Sequence, residues 1–217
     1  MSPLAPVECL YEDEHLLAFN KPSGLLCVPG RGLDKQDCLS ARVQQQWPEA
    51  LVVHRLDMST SGIVLMARDI AVQRALGLCF ENRQIHKRYE AVIAGVPGVA
   101  IGQWQEIDAP IAADWERRPL RVIAAEGKPS RTRWRIAKIG YASRPDACRL
   151  HLEPVTGRTH QLRVHMQYLG HPILGDALYA PPDQAAAAPR LLLHARELAL
   201  THPVTALPIE LHSPTPF

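Results

Sequence analysis

The segment His54-Arg55-Leu56-Asp57-Met58-Ser59-Thr60-Ser61-Gly62 constrains this chain more than any other. It is polar and turn-forming, and it lies between two apolar runs, Leu51-Val52-Val53 and Ile63-Val64-Leu65-Met66. Short apolar runs separated by hydroxyl residues and glycine predict two strands joined by a loop, so the chain must build a sheet here. Asp57 then stands on a loop braced by that sheet, beside an arginine and several hydroxyls, a position from which a carboxylate can react. An Asp that only closes a turn has the same neighbours, and the segment alone does not separate the two readings.

The rest of the chain supplies partners for that sheet. Val7 to Asn20 reads as a hairpin turning at Glu12-Asp13-Glu14, and Asn20-Lys21-Pro22-Ser23-Gly24 breaks its second strand. Asp37 is placed to cap a helix with Leu39, Val43 and Trp47 on one face; Asp69 is placed to cap another with Val72, Leu76 and Phe80. Arg88 to Ala94 is strand-like, and residues 97–130 read as loops and short strands. Arg131, Arg133 and Arg135 alternate with Thr132, Trp134 and Ile136, which in a strand sends three guanidinium groups to one face. Cys148 to Leu152 is a further strand. Thr159 is placed to cap a helix with Leu162, Met166 and Leu169 inward, stopped at Gly170. Pro181 to Pro189 reads as a surface loop, and Leu191-Leu192-Leu193 begins another strand. Strands outnumber helices and are joined by short turns. The expected fold is α+β, a largely antiparallel mixed sheet flanked by helices and loops, in one domain over residues 1–217.

A chain of 217 residues can bury a sizeable core, and with 47% hydrophobic and 21% charged residues it matches ordinary globular proteins. No run is long enough to span a bilayer, and Met1 to Val7 lacks the basic-then-apolar order of a signal peptide. The five cysteines, Cys9, Cys27, Cys38, Cys79 and Cys148, form no C-x-x-C pair, which favours free thiols in a reducing cytoplasm. The net charge of +2 predicts no partner, but residues 83–138 carry 11 Lys and Arg against 6 Asp and Glu. A basic middle segment suits a polyanion, and it equally suits a solvated surface.

Several chemistries are disfavoured. Among ten histidines, His160, His165 and His171 are the nearest cluster for a metal. His160 and His165 are roughly 140° apart around a helix, which suits a shared metal poorly, and H-E-x-x-H is absent. Ser61-Gly62 lacks the G-x-S-x-G elbow, and no P-loop or G-x-G-x-x-G occurs. Paired glycosidase carboxylates cannot be recognised from spacing. Two segments remain unusual. Lys87-Arg88-Tyr89-Glu90 puts a phenol beside basic residues, although Tyr is also common at sheet edges. Thr156 to Arg163 enters a helix with two arginines, which oppose the helix dipole and invite a carboxylate or phosphate partner.

Taken together these segments resemble the RluA family of pseudouridine synthases. The resemblance rests on Asn20-Lys21-Pro22-Ser23-Gly24, on His54-Arg55-Leu56-Asp57 with Thr60-Ser61-Gly62, on Lys87-Arg88-Tyr89 and on Thr156 through Met166. Gly170-His171-Pro172-Ile173-Leu174-Gly175-Asp176 and Arg190 through Ala195 extend it, in family order, over most of the chain. The resemblance implies isomerisation of uridine to pseudouridine in RNA, with no metal and no organic cofactor. It assigns the essential carboxylate to Asp57, its counter-charge to Arg163, and the tyrosine that stacks on the uracil to Tyr89. Arg55 matches the residue that fills the gap left by the flipped nucleotide. His54, Thr60 and Lys21 stand with it as candidate substrate or RNA contacts, Lys21 with Pro22 also in a supporting role.

The match starts about ten residues into the chain, so no S4 RNA-binding domain is expected ahead of it. Asp114-Trp115 with Arg118-Pro119 resembles a segment of the small dual-specificity subgroup, which acts on a 23S rRNA hairpin and a tRNA anticodon loop. Glu116-Arg117 and Leu120-Arg121 depart from that subgroup. The implied partner is therefore an RNA stem-loop of rRNA, tRNA or both, with Arg118, Arg131, Arg133 and Arg135 as candidate contacts. No membrane and no protein partner is implied, and a cytoplasmic monomer is expected. A binding module without catalysis and a hydrolase acting on the glycosidic bond are the competing classes; the first would lack the Asp57, Tyr89 and Arg163 set.

Overall fold

Every residue of Ser61–Ala67 is buried, and a strand buried on both faces has to lie inside a sheet. The computed structural model describes residues 7–217. Residues 1–6, which hold most of the stretch read above for a signal peptide, lie outside the described residues.

In chain order the elements are β1 (Glu8–Glu12), β2 (Leu16–Lys21), α1 (Leu39–Val43), β3 (Leu51–Val52), β4 (Ser61–Ala67), α2 (Ile70–Glu81) and β5 (His86–Ala94). There follow β6 (Gln105–Asp108), β7 (Ile111–Ala113), β8 (Arg121–Ile123), β9 (Arg131–Tyr141) and β10 (Arg144–Pro154). The chain ends with α3 (Gln161–Tyr168), α4 (Pro182–Ala185), β11 (Leu193–Thr201) and β12 (Pro208–His212). The residues divide into two units, the first holding Met1–Lys87 and Ala195–Pro216, the second Arg88–His194 and Phe217. The fold is α+β, and every strand ladder whose register is defined is antiparallel.

In the first unit the expected hairpin forms, with Glu8 opposite Asn20 and Glu12 opposite Leu17. Asp13 fixes its turn, because Oδ1 accepts the backbone N–H groups of His15 and Leu16, each at 2.7 Å. β2 and β3 both pair with β4, and β11 pairs with β12 from Glu197 opposite His212 to Thr201 opposite Pro208. Asp69 caps α2 as expected, its carboxylate accepting the N–H of Val72, and Val72 and Leu76 enter a core with Leu16, Ile63 and Leu65. Asp37 does not cap α1. Cys38 occupies that position, and Asp37 pairs with Arg42 instead at 2.7 Å. A salt bridge to the guanidinium uses the oxygens that a cap needs. The helix is correspondingly short, and Trp47 packs against Phe19 beyond it.

In the second unit β10 pairs with both β5 and β9, and β6 with β9. β9 alternates as expected, with Thr132, Trp134 and Ile136 buried. Leu162 and Met166 on α3 face the core of Ala91, Ile93, Leu150 and Leu152. The start of α3 differs from expectation. His160, not Thr159, is the capping residue, in a left-handed conformation with φ 57° and no side-chain cap. The turn before the helix is held by the Gln161 side chain, whose Oε1 accepts from Thr156 Oγ1 and from the Arg158 N–H. Gly170, with φ 81°, terminates the helix as read from the sequence. The segment from Pro181 to Pro189 is not all loop, since α4 forms in it with proline at its start. The strand read from Leu191 opens at Leu193. No helix of the described residues is long and apolar enough to cross a membrane.

Gly62 marks the entry to β4. Its φ is 114°, and a Cβ there would lie 2.3 Å from the carbonyl oxygen of Ala195. Only glycine permits this approach. Gly62→Ala is expected to destabilise the protein by about 2 kcal/mol or more, measured as a lower urea midpoint at unchanged slope; a wild-type midpoint would show that the two backbones are not held this close.

Candidate active site

The loop that carries Asp57 is held by the first unit from both sides. His54 Nε2 accepts the backbone N–H of Leu65 at 3.0 Å, and its ring lies 4.5 Å from that of Phe80. A backbone amide can only donate, so Nε2 carries no proton and the ring is neutral. Burial, reinforced by the nearby charge of Lys87, pushes the His54 pKa down to about 3. The Leu56 N–H donates to Cys27 Sγ at 3.2 Å, and the Asp57 carbonyl accepts from the Thr60 N–H at 3.1 Å. Ser23 Oγ donates to the Ser59 carbonyl at 2.6 Å.

Lys21 is the central brace. It is 0% exposed, and its Nζ donates to the carbonyls of Pro22, Leu25 and Met58 at 2.9, 2.8 and 3.1 Å. The Gly24 N–H also reaches the Met58 carbonyl, at 2.8 Å. A buried ammonium needs all its protons accepted, and here they tie the lysine-proline loop to the Asp57 loop. Lys21 therefore serves as an internal brace and not as a surface RNA contact, which corrects that part of the expectation. Thr60 is likewise buried, whereas Arg55 is exposed and Asp57 is half-buried. His54, neutral and engaged through Nε2, positions the loop.

Tyr89 and Arg163 belong to the second unit. Tyr89 lies on β5 opposite Leu152 of β10 and packs half-buried against the core. Beside it, Glu153 on β10 receives Arg88 at 3.0 Å and Arg133 at 3.2 Å, and Glu90 pairs with Arg149. Arg163 stands in the first turn of α3 and is 3% exposed. Asp176, 1% exposed, takes its Nε and Nη2 at 2.8 and 2.6 Å. Such a two-point grip fixes the plane of the guanidinium. Asp176 itself is held by the N–H groups of Leu178 and Tyr179, and it follows Gly175, where a Cβ would lie 1.8 Å from the Arg190 carbonyl oxygen. The ring of Tyr179 lies 5.0 Å from the Arg163 guanidinium.

The segment from Thr156 to His165 is a polar hub. Gln161 Oε1 accepts from Thr156 Oγ1 at 2.7 Å and from the Arg158 N–H at 3.0 Å. Its amide donates to the Arg131 carbonyl at 2.9 Å and to Thr132 Oγ1 at 3.0 Å. Thr132 in turn meets His165 Nδ1 at 2.9 Å, and His165 Nε2 meets the Ala109 carbonyl at 3.0 Å. Because a carbonyl only accepts, Nε2 holds the proton and Nδ1 accepts from the threonine; burial lowers the His165 pKa and favours this neutral ring. The three histidines weighed for a metal thus have separate engagements, His160 with Tyr179 and His171 with the Ala94 carbonyl.

The arginine face of β9 exists, with conditions. Arg131 lies 3.8 Å from Glu106, and Arg133 is bound to Glu153. Arg133 and Arg135 each lie 4.8 Å from the centroid of Trp104. Arg118 is exposed near the tip of the β7–β8 hairpin, 4.1 Å from the Trp115 ring.

Asp176, Gln161, Tyr179 and Glu153 were not singled out from the sequence. The two arginines entering α3 were the available signal, since cations at a helix start call for an acceptor. For Arg163 that acceptor is Asp176. Arg158 donates to the Pro129 carbonyl at 3.3 Å.

Comparison with known proteins shows which family the chain is similar to. The family model described as RNA pseudouridylate synthase matches residues 15–168. The chain is 45% identical over 209 residues to the dual-specificity RNA pseudouridine synthase RluA of Escherichia coli (strain K12), covering 96% of this chain and 93% of that protein. It is 48% identical over 198 residues to the protein of the same name from Vibrio vulnificus (strain CMCP6), covering 90% of this chain and 78% of the other. The solved structure of human RNA pseudouridylate synthase domain containing 1 superimposes with a TM-score of 0.82 at 29% identity, covering 100% of this chain and 87% of that one.

The folded-state pKa of His54 lies below its ordinary 6.5. Stability from the neutral ring is thus complete above about pH 6.5 and is lost as pH falls toward 3, by up to about 1.4 kcal/mol per pH unit. An NMR titration is expected to show the His54 ring still neutral at pH 4.5. A midpoint near 6.5 would contradict the buried, accepting Nε2.

Proposed function

This chain belongs to the RNA pseudouridylate synthase family, and on that footing we propose that it converts specific uridines to pseudouridine in an RNA stem-loop, of 23S rRNA, tRNA or both. The observation that carries the reading is the 45% identity to a dual-specificity synthase across 96% of the chain, with Asp57, Tyr89 and Arg163 each present in its matching motif.

The reaction breaks the bond from C1′ to N1 and forms one from C1′ to C5. The proton on C5 leaves and N1 gains one, so atoms and electrons balance without an oxidant or a cofactor. The base has to leave its stack first, and Arg55, exposed beside Asp57, is suited to occupy the space. Asp57 supplies the ionised carboxylate, as nucleophile or base. Tyr89 offers a ring for the uracil to stack on. Arg163 is the residue we assign as the counter-charge of Asp57, and the grip of Asp176 on its Nε and Nη2 supports a fixed direction for the guanidinium. His54, Thr60 and Lys21 support the Asp57 loop. Arg118 and the Arg131, Arg133 and Arg135 face contribute charge for the RNA backbone. In this reading the whole chain acts as one catalytic domain, a monomer working in the cytoplasm.

Pseudouridine has the mass of uridine, so a chemical label is needed. Carbodiimide treatment and primer extension on rRNA and tRNA from cells lacking the gene should show one or more lost stops, restored by the wild-type gene. Asp57→Asn should restore none, and in vitro should lower the rate at least about a thousandfold while still binding RNA. Wild-type conversion by Asp57→Asn would sink the assignment. An abasic site in place of pseudouridine would favour the hydrolase, and binding without conversion by the wild-type protein would favour the non-catalytic module.

A further inference from the structure

The tip of the β7–β8 hairpin carries a feature that the isomerisation chemistry does not use. Trp115 is 72% exposed, and the guanidinium of Arg118 lies 4.1 Å from its ring centroid. An exposed indole backed by a guanidinium presents a flat apolar face on which another ring can stack. The guanidinium covers one face of the ring, and the high exposure leaves the other face to solvent.

Hydrogen bonds close the tip. The Asp114 N–H donates to the Leu120 carbonyl at 3.1 Å, and the Leu120 N–H donates to the Arg117 carbonyl at 2.9 Å. Asp114 Oδ1 accepts the Arg117 N–H at 3.0 Å, and Oδ2 accepts Arg117 Nε at 2.7 Å. Asp114 is thereby neutralised by Arg117, and Arg118 and Arg121 stand against Glu116 at the tip, a cationic balance that suits a polyanion.

The start of β8, next to the tip, is bound to the entry of the helix that carries Arg163. The Arg121 N–H donates to the Tyr179 hydroxyl at 3.0 Å, that hydroxyl meets His160 Nδ1 at 2.6 Å, and the Tyr179 ring stacks by Arg163. Ile111 of β7, Val164 of α3 and Tyr179 form one apolar cluster, with Leu120 and Ile123 packed against it. The hairpin is therefore packed on the same elements that hold Arg163. Trp104 makes a weaker candidate, because two guanidinium groups already crowd its half-buried ring.

We infer that Trp115, backed by Arg118, is a stacking platform for an unpaired base of the RNA substrate, separate from the uridine that reacts. The inference rests on the functional reading above. A base offers a flat π-face to the open side of the indole, and the adjacent guanidinium is within reach of that nucleotide's phosphate. Flat stacking is sequence-tolerant, so the platform selects an unpaired nucleotide and not a particular base.

The test uses the full chain and two RNA probes of equal length, a hairpin with an unpaired loop and a fully paired duplex. Trp47 and Trp134 are buried, so quenching of tryptophan emission on RNA binding reports on Trp104 and Trp115. Trp115→Ala should weaken hairpin binding about tenfold, the scale of one lost stacking contact. Duplex binding, carried by backbone charge, should change less than about twofold. Trp115→Phe should recover most of the hairpin affinity while losing most of the quench, which also shows that the tip still folds. Two results would overturn the inference: wild-type hairpin affinity in Trp115→Ala, which would leave a protein as the occupant of the tip, or equal losses on hairpin and duplex. If wild-type protein converts no uridine in any RNA, the functional reading has failed; if it converts and Trp115→Ala binds as wild type does, only this inference has.

Discussion

A buried ammonium sets the shape of the loop on which Asp57 stands. Lys21 Nζ has to place its protons without water, and it does so on three carbonyls, one of them from Met58, the residue after Asp57. Buried charge is costly unless it is fully bonded, so any shift of the Asp57 loop away from Lys21 leaves part of that cost uncompensated. The neighbouring contacts act in the same sense. His54 fixes the start of the loop through the Leu65 amide, and Gly62 fixes its end through an approach that no side chain permits. The same strategy recurs around Arg163, where a carboxylate as buried as the guanidinium grips it at two points. The loop of Asp57 and the guanidinium of Arg163 are thus each fixed by a buried partner of opposite or complementary polarity.

What the sequence disclosed, and what it withheld, follows from how local each interaction is. The period-two pattern of Arg131 to Ile136 and the apolar run Ile63 to Met66 each specify a strand with no outside information, and both strands are present. Asp69 was legible as a cap because its target, the Val72 amide, is three residues away. Asp37 and Thr159 are the same kind of residue in the same kind of place, and neither caps. Asp37 found Arg42, while the turn before α3 is held by Gln161, which reaches back to Thr156 and across to Arg131. Competition of that sort is not visible along the chain.

The candidate site was legible in a different way. Asp57, Tyr89 and Arg163 came from resemblance to a family, and the match to that family's model over residues 15–168 supports the resemblance. The supporting residues did not come with it. Asp176 stood inside a quoted motif, but its purpose appears only once its carboxylate is seen closed against Arg163. Lys21 was a candidate RNA contact as well as a supporting residue, and its burial fits the supporting role. The basic middle segment also changed meaning. Part of its charge is spent internally, on Glu153, Glu106 and Asp114, and the tip with Trp115 and Arg118 is open to solvent.

The central claim is that the carbon–nitrogen bond of uridine is exchanged for a carbon–carbon bond at C5, with the base retained. The most direct measurement is an RNA transcript tritiated at C5 of uridine, incubated with the purified protein and assayed for both tritium in water and free uracil. The predicted result is tritium release that matches the pseudouridine formed, with no free uracil and an unbroken chain. Free uracil, or RNA binding with neither tritium release nor pseudouridine, would contradict it.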